Sequence, residues 1–96
     1  MYIVTVSFSK SPEEVQPHFK KHCEWLNEHV KNGTFVASGP KKSHLGGAFL
    51  VRSMDKQQLQ KILEKDSYFQ ADVADYHIVD MDFKLAAPGF EKLLDA

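Results

Sequence analysis

Histidine is the residue in this chain best suited to chemistry near neutral pH, and three of the five histidines fall within one predicted helix. These three are His18, His22 and His29. Imidazole has an ordinary pKa of about 6.5, so modest changes in its surroundings let it accept or donate a proton at neutral pH. A spacing of four residues also places His18 and His22 on one side of a helix, where both can reach one zinc ion. The segment therefore carries candidates for acid–base catalysis and for metal binding.

The position of each histidine on the helix follows from a helical wheel at about 100° per residue. Four apolar residues form one stripe and predict the buried face of the helix: Val15, Phe19, Leu26 and Val30. His22 falls inside this stripe, whereas His18, His29 and Trp25 lie along its border. We therefore expect His22 to be buried, and a buried imidazole needs a hydrogen-bond partner.

Three roles are open for His22. It can be a structural histidine bonded to a backbone carbonyl, a general acid and base oriented by a carboxylate, or a zinc ligand together with His18. The zinc role lacks the glutamate of an H-E-x-x-H motif, and no third ligand is evident nearby. Cys23 is adjacent in sequence but points about 100° away from His22, so we expect a buried thiol rather than a paired nucleophile. We expect no metal ion and no other cofactor.

The remaining candidates each have a structural explanation beside the chemical one. Asp66 can cap the helical turn that follows it, or it can be the carboxylate partner of a histidine. Gly39 and Pro40 can simply end a strand, and Gly46 and Gly47 can belong to a hairpin. Adjacent glycines also allow a ligand or a backbone to approach closely. We expect the other four histidines to be structural or solvated: His18, His29, His44 and His77.

These residues are positioned by six predicted elements. Alternating and β-branched runs predict four strands, at 2–8, 34–38, 48–52 and 76–83. Helix-start residues predict two helices, one over 12–32 after Ser11 and one after Asp55. The order strand–helix–strand–strand–helix–strand is that of a ferredoxin-like α+β fold, in which one antiparallel sheet carries two helices on one face. We assign residues 1–84 to this domain and 85–96 to a C-terminal tail that can form a short helix.

Both faces of the predicted sheet carry apolar residues, although helices cover only one of them. In the first strand Val4 faces one way and Ile3 the other, and in the last strand Ile78 and Val79 lie on opposite faces. A sheet with one face in water alternates more cleanly than this. We therefore expect a homodimer that closes sheet against sheet, which also adds buried surface to a chain of only 96 residues.

Composition excludes several classes of protein. The 12 basic and 13 acidic residues provide no basic surface for nucleic acid, and 43% hydrophobic with 26% charged residues argues against a disordered chain. The longest apolar run is far shorter than the roughly 20 residues of a membrane span. The single cysteine excludes an internal disulfide and indicates a reducing compartment. We therefore expect a cytoplasmic protein that binds neither nucleic acid nor membrane.

Several short motifs occur in order along the chain. They are His22 with Trp25-Leu26, then Gly33, then Ser38-Gly39-Pro40, then Gly46-Gly47, then Asp66-Ser67-Tyr68-Phe69. In this order and spacing they resemble the YCII-related family of small dimeric α/β-barrel proteins, over about residues 1–84. Ser67 departs from the family pattern, which has proline after the aspartate. The absence of this proline loosens the turn slightly and leaves the Asp66 carboxylate in place.

The resemblance implies a site and a function. A conserved His–Asp pair is the suggested active site of that family, which implies that His22 and Asp66 form an acid–base pair. We expect a pocket between helix and sheet, with five residues on its substrate side: Ser38, Gly39, Pro40, Gly46 and Gly47. Ser38 or backbone N–H groups would hold an oxyanion there. The function that we expect is a lyase or isomerase acting on a small, polar, cyclic or aromatic molecule.

Two alternatives remain open. Dimeric ferredoxin-like domains often bind small molecules without converting them, so the chain can instead be a ligand-binding or regulatory module. A related barrel family degrades haem or oxidises aromatic rings without a cofactor, which makes a monooxygenase the other alternative. The chain has no C-x-x-C-H motif for attaching haem.

Overall fold

The computed structural model describes residues 1–96 and contains one four-stranded sheet and four helices. The strands are β1 (Tyr2–Phe8), β2 (Phe35–Pro40), β3 (Gly46–Val51) and β4 (Ala74–Asp80). The helices are α1 (Pro12–Val15), α2 (Phe19–Lys31), α3 (Lys56–Leu63) and α4 (Ser67–Gln70). A 3₁₀ turn, Gln16–His18, joins α1 to α2, and a second, Glu91–Asp95, lies in the C-terminal tail.

The sheet has the strand order β2-β3-β1-β4, and each neighbouring pair is antiparallel. β1 lies in the middle, where Val4 pairs with Phe49 on one side and with Ile78 on the other. Side chains that are directly opposite share a face, so these three residues all point toward the helices. The predicted ferredoxin-like βαββαβ arrangement is confirmed, with an antiparallel sheet and its helices on one face.

The hydrophobic core lies between the sheet and the helices. Thirteen buried residues form one cluster. Its most enclosed hydrophobic members come from the sheet and from α3: Phe35, Val4, Val51, Leu59 and Leu63. Trp25 joins α2 to this cluster, because its ring lies edge-on to Phe35 and Phe49 at centroid distances of 5.2 and 5.7 Å. Burying side chains of this size contributes roughly 1.5–3 kcal/mol each.

The first helix is interrupted, which corrects the predicted continuous helix over 12–32. The 3₁₀ turn Gln16–His18 contains Pro17, which has no N–H to continue the α-helical hydrogen-bond pattern. Each 3₁₀ residue advances about 120° instead of 100°, so α2 is rotated by about 60° relative to Val15. The interruption therefore changes which side of α2 faces the core.

This rotation explains why the predicted buried stripe is wrong for α2. Phe19 and Val30 turn away from the core and are 50% and 43% exposed. Trp25, which was predicted at the border, is buried instead, and His29 lies half-buried on the same side. His22 still faces inward, because on the continuous wheel it lay about 20° to one side of Val15, and the rotation of about 60° carries it about 40° to the other side.

The ends of three strands also differ from the prediction. β2 continues through Gly39 and Pro40, which is possible because β2 is an edge strand and proline can be accommodated there. β3 begins at Gly46 rather than at residue 48. β4 ends at Asp80, which pairs with Tyr2 at the beginning of β1, rather than at residue 83, although the N–H of Met81 still donates to the Met1 carbonyl at 2.8 Å.

The face of the sheet opposite the helices carries a small apolar patch. Ile3 is at its centre, paired with Leu50 on one side and with Val79 on the other. Val79 is 38% exposed, and Ile3 and Leu50 are half-buried. The four helices pack on the other face, so this patch is an apolar surface that the helical layer does not cover.

Candidate active site

His22 on α2 and Asp66 at the beginning of α4 form a hydrogen bond of 2.7 Å between Nδ1 and Oδ1. Asp66 is fully buried, and the His22 side chain is 12% exposed. An ionised carboxylate accepts hydrogen bonds, so it places the ring proton on Nδ1 and leaves a lone pair on Nε2 of the neutral imidazole. Nε2 makes no hydrogen bond within the chain and is not enclosed. The structure thus brings these two predicted residues together. Nδ1 of His22 is hydrogen-bonded to Asp66, and Nε2 is accessible and unbonded.

Two further donors hold the Asp66 carboxylate. The Tyr68 N–H donates to Oδ1 at 3.1 Å, and the Tyr76 hydroxyl donates to Oδ2. Asp66 therefore accepts three hydrogen bonds, one from His22 and two from these tyrosines. Burial and the hydrogen bond to Asp66 raise the pKa of Tyr76 well above its ordinary value, so Tyr76 keeps the proton that it donates. Asp66 also caps α4 through the same bond to Tyr68, which confirms the predicted cap.

Aromatic rings fix the plane of the His22 imidazole. The Tyr68 ring is stacked on it with a centroid distance of 3.9 Å and an interplanar angle of 10°. Trp25 lies at 5.9 Å, and Phe8 packs edge-on against Tyr68 at 5.5 Å. Because these rings restrict rotation of the imidazole, Nε2 is kept in one orientation.

Hydrogen bonds between helices fix the positions of His22 and Asp66 relative to each other. The Ser67 hydroxyl donates to the carbonyl of His18 at 2.7 Å, which ties α4 to the residue just before α2. The Trp25 indole N–H donates to the Ile62 carbonyl at 3.1 Å, which ties α2 to α3. Ser67 stands where the family pattern has proline, and it makes a contact that proline cannot make.

The five residues predicted to bind substrate lie together at one end of the β2–β3 hairpin: Ser38, Gly39, Pro40, Gly46 and Gly47. Their connection to the pair is indirect. Ser38 is opposite Phe49, whose ring packs against Trp25, the neighbour of His22. None of the hydrogen bonds of His22 and Asp66 is made with these five residues.

Close packing of the backbone accounts for two of these glycines. A Cβ atom on Gly46, which has φ +142°, would lie 1.9 Å from the carbonyl oxygen of Val6. A Cβ atom on Gly47 would lie 2.8 Å from the carbonyl oxygen of Gly39. Gly39 itself has open space around it. At Gly46 and Gly47 the missing side chain therefore lets neighbouring strands approach.

Other features of the chain lie apart from the pair. Burial raises the pKa of Cys23, which keeps this free thiol protonated. No group of three or more His, Cys, Asp or Glu residues is arranged to hold a metal ion, and no helix has the length and apolar character needed to span a membrane. Two clefts, of about 420 and 360 Å³, lie beside the C-terminal tail and between α3, α4 and β4. Neither is lined by His22 or Asp66.

His29 is a half-buried polar side chain that makes no hydrogen bond. Its Nδ1 atom is enclosed and has no partner. The ring lies 5.5 Å from that of Trp25 and 5.0 Å from that of Phe35. Burial lowers the pKa of His29, opposed by the charge of Glu28 and aided by that of Lys65. His29 therefore acts as a neutral core residue with one unpaired nitrogen.

We expect His29→Leu to raise the free energy of unfolding by about 1 kcal/mol near pH 7.5, because it removes that unpaired nitrogen. The pKa of His29 in the folded chain lies below its unfolded value of about 6.5, so the native protein loses stability as the pH falls below that value. His29→Leu should lose less stability than the native protein over the same fall in pH. Urea denaturation near pH 7.5 and pH 5 measures both effects. His44→Asn, at an exposed residue with φ 63°, is the control and should change neither the stability at about pH 7.5 nor its loss at about pH 5. If His29→Leu loses as much stability in acid as the native protein does, the prediction is contradicted.

The topology of the sheet and the His22–Asp66 pair together define a ferredoxin-like α+β domain that carries a candidate acid–base site. The family model of the YCII-related domain matches residues 1–82, so the chain belongs to the YCII-related family. The resemblance drawn from the motifs is thereby confirmed. A search of curated proteins found no match.

A solved structure of similar fold is 5-chloro-2-hydroxyhydroquinone dehydrochlorinase from Burkholderia phenoliruptrix AC1100, in complex with 2,5-dihydroxybenzoquinone. The TM-score is 0.67, and the match covers 84% of this chain and 93% of the other. The two sequences are 12% identical, so the similarity establishes a common fold.

Two tyrosines of the site were missed in the sequence. Tyr76 is two residues before Ile78 and so shares its face of the strand, but nothing in that pattern indicates that the hydroxyl meets Asp66. Tyr68 was noted only as part of the motif that follows Asp66. A signal was available for Tyr68, because a residue two positions after an N-cap aspartate normally supplies the N–H that the cap accepts.

Proposed function

We propose that this chain is a small-molecule enzyme of the lyase or isomerase type, with His22 as general acid and base and Asp66 as its orienting carboxylate. The observation that carries the proposal is the asymmetry of His22. Nδ1 is bonded to a fully buried carboxylate at 2.7 Å, whereas Nε2 is unbonded and open. A histidine that only stabilises the fold has no need of an open, oriented nitrogen.

In the proposed reaction His22 Nε2 removes a proton from a carbon atom of the substrate. The imidazolium that forms is stabilised by the Asp66 carboxylate beside Nδ1. The electron pair of the broken C–H bond moves into the substrate. There it either expels a leaving group, which is elimination, or takes the proton back from His22 at a different carbon, which is isomerisation. The Tyr76 hydroxyl and the Tyr68 N–H keep the carboxylate oriented throughout.

A small ring bearing hydroxyl or carbonyl groups is the substrate class that we propose. Such a ring can hold the electron pair as an enolate, so it needs no other acceptor. The named substrate and ligand of the dehydrochlorinase of similar fold are rings of this kind. The faces of Tyr68 and Trp25 beside His22 suit a flat molecule. We propose that the hairpin end lines the substrate side: Ser38, Gly39, Pro40, Gly46 and Gly47.

Deuterium exchange tests this proposal without knowledge of the natural substrate. 2,5-Dihydroxybenzoquinone is incubated with the protein in deuterium oxide, and loss of its ring C–H signal is followed by proton NMR. We expect the protein to accelerate the exchange, because His22 can deliver a deuteron to carbon and then remove the original proton. His22→Ala should slow the catalysed exchange by about 10²- to 10⁴-fold, the usual contribution of a positioned acid and base.

His44→Asn is the matched control, since it replaces an exposed imidazole that makes no hydrogen bond and should leave the rate unchanged. Circular dichroism confirms that each variant is folded. Equal rates for His22→Ala and the native protein would rule out His22 as the acid and base. Tight binding of the quinone without any exchange would favour the ligand-binding alternative over an enzyme.

We also propose that the protein is a homodimer closed through the open face of the sheet. Support comes from the apolar patch of Ile3, Leu50 and Val79, which the helices do not cover. Burying it against a second copy removes apolar surface from water on both chains, at roughly 25 cal/mol per Å². A chain of 96 residues benefits particularly, because a small domain buries a smaller share of its surface alone.

Leu50→Lys should convert the dimer to a folded monomer, because it places a charge within the apolar patch that the second copy would bury. Sedimentation velocity at micromolar concentration measures the change. Leu85→Lys is the control, because Leu85 is 91% exposed in the tail and lies outside the patch. A native chain that sediments as a monomer at this concentration would contradict the dimer.

A further inference from the structure

Tyr68 makes contact with both members of the His22–Asp66 pair. Its backbone N–H donates to Asp66 Oδ1 at 3.1 Å, the same oxygen that faces His22 Nδ1. Its ring is stacked on the imidazole at 3.9 Å. The backbone and the ring of this residue thus hold the pair from two directions, and its hydroxyl takes no part in either contact.

The Tyr68 hydroxyl differs from those of the other two tyrosines. Tyr2 donates to the Met54 carbonyl at 2.8 Å, and Tyr76 donates to Asp66. The Tyr68 hydroxyl makes no hydrogen bond within the chain, although only 2% of the residue is exposed. Its oxygen is not among the enclosed atoms that lack a partner, so the small exposed part of Tyr68 includes the hydroxyl. A phenol group that is otherwise buried normally finds a partner, and here the partner must come from outside the chain.

The rings that carry the open hydroxyl and the open nitrogen lie against each other, with centroids 3.9 Å apart. The rings of Tyr68 and His22 are nearly parallel, at an angle of 10°, and adjacent. Stacked at this distance, the two rings can present their free polar atoms to one small molecule. Burial raises the pKa of Tyr68 to about 12, with smaller contributions from the charges of Cys23 and Asp66. At neutral pH the hydroxyl is consequently a donor rather than an anion.

We infer that the Tyr68 hydroxyl is a further catalytic group, which donates a hydrogen bond to the substrate oxygen that becomes negative when His22 Nε2 removes a proton. This inference rests on the proposed function and adds an electrophilic partner to the base. As the C–H bond breaks, its proton goes to Nε2 and its electron pair forms a carbon–carbon double bond. The carbonyl π electrons move onto oxygen, where the Tyr68 O–H stabilises the charge. Reprotonation at carbon by His22 reverses each of these changes.

Tyr68→Phe isolates the hydroxyl, because it keeps both the stacked ring and the N–H bond to Asp66. The probe is 2,5-dihydroxybenzoquinone, whose ionised oxygens imitate the enolate, and its affinity is measured by calorimetry. We expect Tyr68→Phe to weaken binding by about 10- to 100-fold, as for loss of a hydrogen bond to a charged group. Tyr2→Phe is the matched control, because its hydroxyl bonds the chain itself, and it should bind the probe like the native protein.

A second readout separates a direct role from a positioning role. The His22 imidazole is titrated by NMR in the native protein and in Tyr68→Phe. If Tyr68 acts on the substrate, the two titrations coincide although the affinities differ. If Tyr68 only orients His22, the titration shifts, and that result would overturn the inference. Unchanged affinity in Tyr68→Phe would overturn it as well.

Failure of the inference can be told apart from failure of the proposed function by including His22→Ala. If His22→Ala weakens probe binding and Tyr68→Phe does not, the role of Tyr68 is wrong and the proposed function stands. If the native protein does not bind the probe, or binds it as well after His22→Ala, the proposed function fails and the inference fails with it.

Discussion

Replacement of Asp66 by asparagine should slow the exchange of ring protons by about 10²- to 10⁴-fold while the chain stays folded. The amide has nearly the same shape as the carboxylate but no charge. It therefore no longer stabilises the imidazolium that forms when His22 takes up a proton. Asparagine can also present its NH₂ group to Nδ1, which favours the tautomer with the proton on Nε2 and removes the lone pair needed there.

The expected loss of stability in Asp66→Asn is smaller than the loss of rate. Asp66 is fully buried and accepts three hydrogen bonds, of which the one from His22 connects two helices. Weakening a charge-assisted bond of this kind costs about 1.5–3 kcal/mol. Asp72→Asn is the matched control, because Asp72 is exposed and has φ 55°, which asparagine tolerates. Native exchange rates in folded Asp66→Asn would show that the carboxylate is not part of the reaction.

The order of elements and the cap at Asp66 could be predicted because each depends on a short stretch of sequence. The alternating residues of β1 predicted its observed bounds, Tyr2–Phe8. Asp55 and Asp66 predicted the beginnings of α3 and α4. The ends of the strands could not be predicted in this way, because they depend on pairing with another strand. β4 pairs with β1 up to Asp80, opposite Tyr2, so its bounds are decided by another part of the chain.

The orientation of α2 could not be read from its apolar pattern. The stripe from Val15 to Val30 is regular on a continuous helix, and only the 3₁₀ turn at Pro17 reveals that the two parts have different phases. Whether a proline kinks a helix or resets it by a 3₁₀ turn depends on what the flanking segments pack against. The packing of Trp25 against Phe35 and Phe49 favours the rotated arrangement, in which the largest side chain is buried.

The partners of Asp66 differ in how far they could be anticipated. His22 lies 44 residues away, and it was linked to Asp66 through the family resemblance rather than through spacing. Tyr76 reaches the carboxylate because β4 pairs with β1 in a register that places Tyr76 opposite Val6. A shift of one residue would turn Tyr76 to the other face of the sheet. The site is therefore a consequence of register as much as of residue type.

Gly46→Ala should destabilise the fold severely, by about 3–5 kcal/mol. The added Cβ would meet the carbonyl oxygen of Val6 at 1.9 Å, and this obstacle is backbone in the central strand rather than a flexible side chain. The φ of +142° adds strain for any residue with a Cβ. Each kcal/mol corresponds to roughly 4–8 °C in a domain of this size, so the melting temperature should fall by about 15 °C or more.

Gly39→Ala is the matched control for Gly46→Ala, because it adds the same methyl group in the same hairpin. No atom lies within 4 Å of the added Cβ at Gly39, and the melting temperature should change by no more than a few degrees. The comparison also decides between the two explanations of the glycine pair. If Gly46 serves the packing of strands, Gly46→Ala loses stability. If it serves only to admit a ligand, the variant would melt like the native protein and lose quinone binding alone, which contradicts the close approach to Val6.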